Sequence, residues 1–449
     1  MSGGFHMEED YAQMEKNYVM RTWAAQRNVK VLPIKDAEGA YFTDINDKKY
    51  MDFSSQLIAA NYGHKNQKVN QAIIDQLNTY SYIAPGLGAP IRAKLAKKLT
   101  EIAPGNYRKT FFSTGGAEAN EGGVKAAKYY TNAFKVISRY TSYHGALGIS
   151  ISLTGDPRRY TKNEPGYPGV LHAVDPYCYR CPFKMTYPEC NLLCAEAIRD
   201  QILMEGKDTV AALVLEPIVG SNGVIVPPPG YYERIREICD EFDVVWIDDE
   251  VMAGFGRFGK MFAIEHWDAS PDIITMAKGL TGTYVPLGAT LMSDKISDFF
   301  EDNIYVHGAT YAGHPLACAA GLASIKLYEE EKLIENAQKL EPVFEKRLNE
   351  IKEDHKSVGD VRGKGCFWGV ELIKDSKTHE PASTRDEKFA PGPTIPGRVQ
   401  QECFKNGIFF VQMISTLLLA PPIIVSKEEV LKGLDVVDEA LKISDKECK

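Results

Sequence analysis

The chain has 449 residues, of which 44% are hydrophobic and 25% are charged. At roughly 150 residues per domain, this length predicts about three domains, or one large fold with an appendage, and enough chain for a large core. The net charge of −8 argues against a nucleic-acid-binding protein, because such proteins need clustered Lys and Arg. The normal hydrophobic content excludes a wholly disordered chain.

Neither a membrane helix nor a secretion signal is predicted. No apolar run reaches the ~18 residues that a membrane-spanning helix requires, and the run 417–425 is interrupted by Pro421 and Pro422. The N-terminal sequence lacks the basic and apolar regions of a signal peptide. Nine cysteines, an odd number spread along the chain, favour a reducing compartment. We therefore expect a cytoplasmic enzyme that binds neither nucleic acid nor membrane.

The N-terminal 60 residues predict an arm followed by strands. Residues 7–30 mix charged with aromatic side chains, as in an arm or a short helix. Residues 30–53 form short alternating segments with turn sequences at 37–39 and 46–47, which is the pattern of a β-hairpin.

The central part of the chain alternates apolar and helical segments. The predicted strands are 110–112, 136–138, 211–215, 244–247, 273–276 and 288–291, and the predicted helices between them include 117–130 and 231–242. Continuous apolar strands alternating with helices indicate a mainly parallel sheet covered on both faces. A ligand of such a sheet binds beyond the carboxyl ends of the strands.

The C-terminal part predicts a second domain. A long charged helical stretch runs from 315 to about 352, residues 365–372 resemble a strand, and residues 427–441 an amphipathic helix. The polar, proline-containing segment 377–396 predicts a mobile loop.

Two motifs that follow predicted strands suggest a cofactor with a phosphate and a flat ring. Residues 113–118, Ser-Thr-Gly-Gly-Ala-Glu, lie between a strand and a helix, and glycines there expose backbone N–H groups at a helix N-terminus, which favours a phosphate. An ordinary tight turn is an equally good interpretation of this motif alone. Tyr143, His144 and Gly145 follow the next strand and offer an aromatic ring that covers a planar ligand.

Two further strand ends carry charges. Asp248, Asp249 and Glu250 follow one strand and are costly to bury unless a cation meets them; a metal site or helix caps are the alternatives. Lys278 follows another strand, where desolvation can lower the pKa of its amine enough to form a Schiff base; a solvated surface lysine is the alternative. The glycines at 254–259 match G-x-G-x-x-G, but they neither follow a strand directly nor open a helix, so no dinucleotide site is predicted.

Together these motifs meet the needs of pyridoxal phosphate: a held phosphate, a sandwiched ring, an acid at the ring nitrogen and a lysine for the aldehyde. The sequence resembles the class III (omega) aminotransferases of pyridoxal-phosphate fold type I, in order and spacing, over roughly residues 30–437. The matching segments are STGGAEANE (113–121), YHG (143–145), LEPIVGSNGVIVPPPGY (215–231), DDEVMAGFGRFG (248–259), MAKGL (276–280), PLGA (286–289) and HGATYAGHPLACAAG (307–321).

The resemblance implies an α/β fold in which a large domain with a mainly parallel, seven-stranded sheet is joined by a small α+β domain. We predict an arm and part of the small domain at 7–60, the large domain at 61–325 and the C-terminal small domain at 326–449. It also implies a homodimer with a shared active site, because Thr310 is expected to reach the phosphate of the neighbouring subunit.

The resemblance further implies individual roles. Lys278 is the Schiff-base lysine and proton carrier, and Asp249 pairs with the pyridinium nitrogen. Tyr143 and Val251 sandwich the ring, and the backbone at 116 and 117 binds the phosphate. Arg257 has a supporting role. The complete predicted cofactor set is Gly115, Gly116, Ala117, Tyr143, His144, Glu216, Asp249, Val251, Lys278 and Thr310.

Two departures from the family bear on the substrate. Ser221 stands where ornithine and 4-aminobutyrate enzymes usually have a glutamate that masks a substrate-binding arginine, whereas the omega-amino-acid:pyruvate group more often has Gly-Ser, as here. Residues 409–421 lack the arginine that usually grips the substrate carboxylate. A buried acid group still needs a cation, and the candidates are Arg158 and Arg159, with Trp23 as a pocket wall. Surface or interface positions for both arginines are the alternative.

The expected activity is the transfer of an amino group from an omega-amino acid to a 2-oxo acid by a ping-pong mechanism. Taurine is the first choice of donor, since Trp23 within RTWAAQ resembles the arm of taurine and beta-alanine aminotransferases; beta-alanine and 4-aminobutyrate follow, with 2-oxoglutarate or pyruvate as acceptor. A racemase or aminomutase of the same fold is the alternative. A cofactor-free binding protein is disfavoured by the intact Lys278 and Asp249.

Four cysteines form a separate motif with the spacing C-x2-C-x8-C-x3-C: Cys178, Cys181, Cys190 and Cys194. Such spacing can hold zinc or an iron–sulfur cluster, and the C-x-x-C pair resembles 4-aminobutyrate aminotransferases that carry such a cluster at the dimer interface. Reduced structural thiols are the alternative, and we expect no metal.

Overall fold

The computed structural model describes residues 10–161, 165–389 and 392–449. Its N-terminal part contains the short helix α1 (Tyr11–Tyr18) and three antiparallel strands, β1 (Ile34–Glu38), β2 (Tyr41–Asp44) and β3 (Lys49–Asp52). The hairpin expected from the turn sequences is confirmed. The described part of the arm contains the α-helix α1 and one 3-10 turn, Gln26–Asn28, which precedes the strands.

Seven strands form the central sheet. They are β4 (Tyr107–Ser113), β5 (Lys135–Arg139), β6 (Val170–Ala173), β7 (Val210–Leu215), β8 (Val245–Asp249), β9 (Ile273–Met276) and β10 (Gly288–Ser293), in the order β4-β10-β9-β8-β7-β5-β6. Strands β5 to β9 pair in parallel, whereas β10 runs antiparallel to both β4 and β9. The predicted mainly parallel, seven-stranded sheet is confirmed.

Two features of this sheet differ from the sequence-based expectation. The apolar run of β10 predicted a strand but carried no information about its antiparallel direction. Strand β6 was not predicted, because it is short, contains His172 and lies only half-buried at the sheet edge, so it lacks a continuous apolar run.

Ten further α-helices lie between residues 55 and 330 of the described chain. They are α2 (Ser55–Ile58), α3 (Gln67–Thr79), α4 (Pro90–Ile102), α5 (Gly116–Thr131), α6 (Gly148–Leu153), α7 (Pro157–Tyr160), α8 (Leu193–Glu205), α9 (Tyr231–Phe242), α10 (Asp294–Asp302) and α11 (Pro315–Glu330). Helix α5 packs close to the middle of the sheet because it presents small residues: a Cβ at Gly122 would lie 3.1 Å from Thr290 Oγ1, tighter than an ordinary contact. This close packing sets the N-terminus of α5 at the strand ends.

The C-terminal part contains the helices α12 (Leu333–Asp354), α13 (Ile395–Lys405) and α14 (Lys427–Asp445). Its strands are β11 (Val358–Lys364), β12 (Phe367–Asp375), β13 (Glu380–Pro381), β14 (Ile408–Phe409), β15 (Val411–Met413) and β16 (Thr416–Leu419). The single helical stretch expected at 315–352 is wrong, since α11 and α12 are separated at residues 331–332, where Lys332 has φ +52°.

The segment expected to be a mobile loop, 377–396, is partly built into the fold. Strand β13 pairs with β12, and a 3-10 turn, Asp386–Phe389, follows it. Residues 390 and 391 lie outside the described residues.

Two smaller sheets combine distant parts of the chain. One has the order β11-β12-β16-β15, and the short strand β13 also pairs with β12. The other has the order β1-β2-β3-β14, so the N-terminal hairpin pairs with a strand from the C-terminal part. The domain limits 60/61 and 325/326 remain predictions. None of the helices in the described ranges is long and apolar enough to cross a membrane.

His355 joins α12 to α14 through two carboxylates. Its Nδ1 lies 2.6 Å from an oxygen of Asp445 and its Nε2 2.6 Å from an oxygen of Asp438. Burial opposes protonation of His355, but the hydrogen bonds to Asp438 and Asp445 outweigh it and raise the pKa of the imidazole above its usual value. A raised folded-state pKa adds stability that is complete below the ordinary pKa of about 6.5 and is lost as the pH rises through the folded-state value.

We therefore predict that His355→Gln lowers the free energy of unfolding by about 1–3 kcal/mol at pH 6, and by less at pH 9, because charge-assisted hydrogen bonds are lost. The melting temperatures of both proteins at the two pH values measure this. His379→Gln, at an exposed histidine, is the control and should behave as wild type. An equal loss at pH 6 and pH 9 would contradict the assignment.

Candidate active site

A cavity of about 500 Å³ lies at the carboxyl ends of the parallel strands. The segments that follow β4, β5, β7 and β9 all contribute to its wall, together with the last residue of β8. It is lined by every predicted cofactor residue except Thr310, namely Gly115, Gly116, Ala117, Tyr143, His144, Glu216, Asp249, Val251 and Lys278. The parallel topology thus brings together residues that are up to 163 positions apart in sequence, from Gly115 to Lys278.

One end of the cavity is the N-terminus of α5. Gly115 is the N-cap residue and makes no side-chain capping hydrogen bond. Gly116 is required by close packing, because a Cβ there would lie 2.6 Å from Val251 Cγ1. The first N–H groups of a 16-residue helix and its dipole therefore face the cavity, which favours a phosphate group.

The carboxylate of Asp249 is oriented by three donors. Its Oδ2 accepts hydrogen bonds from Asn120 Nδ2 at 2.8 Å and from His144 Nδ1 at 2.6 Å, and its Oδ1 accepts one from Val251 N at 3.0 Å. Thr275 Oγ1 donates to Asn120 Oδ1 at 2.6 Å and so sets the orientation of the amide. An ionised carboxylate held in this way suits a protonated ring nitrogen.

Asn120 and Thr275 were missed by the sequence analysis. Asn120 lies within the segment 113–121, one helical turn after the phosphate-binding glycines, so its place on α5 was a usable signal. Thr275 lies inside an apolar strand, and its contact with Asn120 depends on how closely α5 packs on the sheet.

The two acids beside Asp249 in sequence have raised pKa values. Asp248 is fully buried on the opposite face of β8, and burial together with the charge of Glu250 raises the pKa of its carboxyl group well above the usual value. Burial likewise raises the pKa of Glu250 to about 8. Protonation therefore removes much of the cost of burying three adjacent carboxyl groups.

Lys278 follows β9 with a backbone φ of +39°, a conformation that is strained for a residue with a side chain. Burial lowers the pKa of its amine to about 8, against the opposing charges of Asp249 and Glu216. A substantial fraction of the amine is neutral near physiological pH, as a nucleophile requires.

Glu216 and Arg257 hold segments around the cavity in place through hydrogen bonds. Glu216 Oε1 accepts from Tyr143 N at 2.9 Å and its Oε2 from Gly220 N at 3.0 Å, which fixes the segment that carries the Tyr143 ring. Arg257 is fully buried and donates to Asn61 Oδ1 at 2.7 Å and to Pro421 O at 2.6 Å. It thereby links the segment after β8 to the N-terminal and C-terminal parts of the chain, at Asn61 and Pro421.

The structure separates the two candidate substrate arginines. The guanidinium carbon of Arg158 lies 3.7 Å from the ring centre of Tyr143 and 5.7 Å from that of Trp23. Arg159 lies instead beside Tyr160, at 5.7 Å from the ring centre. Arg158, Trp23 and Tyr143 therefore form one group, of which Tyr143 lines the cavity, whereas Arg159 contacts a different ring, that of Tyr160.

Thr310 is exposed and does not line this cavity. Its carbonyl accepts a hydrogen bond from Tyr82 Oη at 2.9 Å. The expectation that it reaches the phosphate of a neighbouring subunit is therefore not tested by a single chain.

The cysteine motif lies away from this cavity. Cys178, Cys181, Cys190 and Cys194 line a small pocket of about 20 Å³, and all nine cysteines are free thiols. Burial raises the pKa of Cys194 to about 12, which opposes the thiolate form that metals bind. Within residues 10–161, 165–389 and 392–449, no three His, Cys, Asp or Glu side chains are arranged to hold a metal ion.

Comparison with known proteins gives consistent matches along the chain. Residues 23–441 match the family model "Aminotransferase class-III". A taurine:2-oxoglutarate aminotransferase from Bifidobacterium kashiwanohense, solved in complex with PLP and glutamate, is 35% identical with a TM-score of 0.92, over 97% of this chain and 98% of that one. Gamma aminobutyrate transaminase 2 of Solanum lycopersicum is 33% identical, over 92% of each chain. Putrescine–pyruvate aminotransferase of Pseudomonas aeruginosa is 32% identical, over 88% of this chain and 87% of that one.

We predict that Asn120→Ala weakens binding of pyridoxal phosphate by about tenfold, because Asp249 loses an orienting hydrogen bond and Thr275 a partner. Titration of the cofactor-free protein, followed by cofactor absorbance, measures the Kd. Asn349→Ala, at an exposed asparagine of α12, is the matched control and should bind as wild type does. An unchanged Kd in Asn120→Ala would show that Asp249 does not depend on this amide.

Proposed function

The chain belongs to the class-III aminotransferase family, and from this membership we propose that it transfers the amino group of an omega-amino acid to a 2-oxo acid. The membership confirms the predicted enzyme class, fold type I and the cofactor pyridoxal phosphate. Taurine is the preferred donor in this proposal, with beta-alanine or 4-aminobutyrate next, and 2-oxoglutarate or pyruvate is the acceptor.

One observation carries the proposal: the helix N-terminus at Gly116, the oriented carboxylate of Asp249 and the amine of Lys278 face one cavity. These groups fit the phosphate, the ring nitrogen and the aldehyde of the cofactor, and Tyr143 and Val251 line the cavity where its ring would lie. Pyridoxal phosphate, when bound, supplies an electron sink for the carbon that carries the substrate amine.

The residues of the chain supply the rest of the chemistry. The Nζ of Lys278, with its lowered pKa, would take a proton from the donor carbon and deliver it to the aldehyde carbon of the cofactor, as general acid–base catalysis in a transamination requires. Asp249 stays oriented by Asn120, His144 and the Val251 N–H, and so holds a proton at the ring nitrogen throughout. Glu216 keeps the segment of Tyr143 in place.

The choice of donor rests on Arg158. A carboxylate or sulfonate in a partly enclosed site needs a cation, and Arg158 lies against Tyr143, which lines the cavity, and near Trp23 of the arm. Relatives named for taurine and gamma-aminobutyrate support acidic omega-amino acids as the donor class.

The proposal includes a homodimer with a shared active site. Thr310 is exposed on a surface segment, as a residue that completes the site of a second copy must be. A cytoplasmic location stays a prediction from the cysteine content.

A matrix of donors and acceptors tests the activity. With taurine, beta-alanine, 4-aminobutyrate and lysine against pyruvate and 2-oxoglutarate, we expect sustained turnover only when a donor and an oxo acid are both present. Lys278→Ala should lower the rate by at least about 10²-fold, because it removes the proton carrier. Sustained turnover without an oxo acid would instead indicate a racemase or aminomutase.

Arg158→Gln and Arg159→Gln form a matched pair for the substrate assignment. We expect Arg158→Gln to lower kcat/KM for an acidic donor by roughly 10–100-fold, because a charge-assisted hydrogen bond is lost, and to leave a neutral amine unaffected. Arg159→Gln should resemble wild type with both. Equal losses for acidic and neutral donors in Arg158→Gln would contradict the assignment.

A further inference from the structure

An ion cluster lies beside Tyr143 and consists of Asp156, Arg158 and Lys388. Arg158 has a proposed role in binding the substrate, but Asp156 and Lys388 have none so far. Asp156 is the N-cap residue of α7, and Arg158 lies two residues further along this helix. Lys388 comes from a distant part of the chain, the 3-10 turn Asp386–Phe389 between β13 and α13. Its approach to Asp156 was not predictable from sequence, because 232 positions separate the two residues.

Two cations share one carboxylate oxygen in this cluster. Asp156 Oδ2 accepts from Arg158 Nε at 2.8 Å and from Arg158 Nη2, and it lies 3.3 Å from Lys388 Nζ. Asp156 Oδ1 accepts the backbone N–H of Arg158 at 2.8 Å as the helix cap. The backbone therefore fixes the carboxylate of Asp156 through Oδ1, and both cations reach Oδ2 through long side chains.

The cluster is almost fully enclosed. The side chain of Asp156 is 1% exposed, and those of Arg158 and Lys388 are each 10% exposed. Burial opposes ionisation of Asp156, but the hydrogen bond and charge of Arg158, with the charge of Lys388, keep the pKa of its carboxyl group below the usual value. A buried carboxylate of this kind becomes costly when it loses a cation and no other replaces it.

Lys388 is held in place by its own segment. Arg385, three residues earlier, donates to Tyr140 O at 2.9 Å and to Gly155 O at 2.6 Å, which docks the turn on the segments that precede and follow α6. Lys388 therefore stays near Asp156 whether or not Arg158 remains there.

We propose that Asp156 and Lys388 determine substrate specificity, because Arg158 exchanges its ion pair with Asp156 for one with the acid group of the substrate. Asp156 neutralises Arg158 when the substrate has no acid group, and Lys388 alone neutralises Asp156 when Arg158 turns to bind an acid group. This rests on the proposed function, in which Arg158 binds that group.

The test compares two donors that differ in one group, 4-aminobutyrate and n-butylamine, in which a methyl replaces the carboxylate. In Lys388→Met, we expect the KM for 4-aminobutyrate to rise about tenfold with kcat nearly unchanged. The reason is that Arg158 can leave Asp156 only by stranding a buried carboxylate without a cation. The KM for n-butylamine should be unaffected. Lys388→Arg keeps the charge and should restore the KM.

Asp156→Asn tests the neutralising role of Asp156. Asparagine keeps the helix cap but removes the charge. We expect the KM for n-butylamine to rise about tenfold, because Arg158 then presents an uncompensated charge to a neutral substrate, and the KM for 4-aminobutyrate to stay the same or fall.

The melting temperature and cofactor absorbance of each variant are measured first, and Lys388→Gln replaces Lys388→Met if the latter does not fold. Equal changes for both donors, or no change for either, would overturn the proposal and leave Lys388 with a structural role. If Arg158→Gln abolishes the preference for the acidic donor while the Lys388 variants retain it, the exchange is wrong and the proposed function stands. If Arg158→Gln retains the preference, the proposed substrate assignment itself fails.

Discussion

The buried carboxylate of Asp249 at the end of β8 is the constraint around which the site is built. A charge in this position is tolerated because Asn120, His144 and the Val251 N–H all donate to it. The same donors aim the carboxylate at the cavity, where a protonated ring nitrogen completes the pairing. Burial raises the pKa of the two adjacent acids, Asp248 and Glu250, which favours their protonated, less costly form.

Holding Asp249 in this way requires the rest of the large sheet. Asn120 reaches the carboxylate because α5 packs closely on the sheet through small residues such as Gly122 and Gly123. The same packing brings the N-terminus of α5 to the phosphate end of the cavity, and the parallel order of β8 and β9 brings Lys278 beside Asp249. One arrangement of helix and sheet therefore positions the three groups that we propose for the cofactor: the N-terminus of α5 for the phosphate, Asp249 for the ring nitrogen and Lys278 for the aldehyde.

The ion cluster beside Tyr143 joins two parts of the chain. Arg158 and Asp156 belong to the large sheet region, whereas Lys388 and Arg385 arrive from the segment between β13 and α13. The buried Arg257 makes a second connection, from residues after β8 to Asn61 and Pro421. The groups assigned to the cofactor thus lie at the large sheet, and the proposed recognition of the acid group would also involve the C-terminal part.

The sequence by itself determined the sheet, the family and its cofactor. It also predicted which residues line the cavity, because continuous apolar strands force their polar successors to one edge, as with Asp249 and Lys278. It did not reveal the antiparallel direction of β10 or the edge strand β6, since burial patterns carry no direction and a half-buried strand lacks an apolar run. Only the tertiary structure distinguished Arg158 from Arg159 and joined Lys388 to Asp156. Neighbouring arginines have equal local signals, and an ion pair across 232 positions depends on how segments pack.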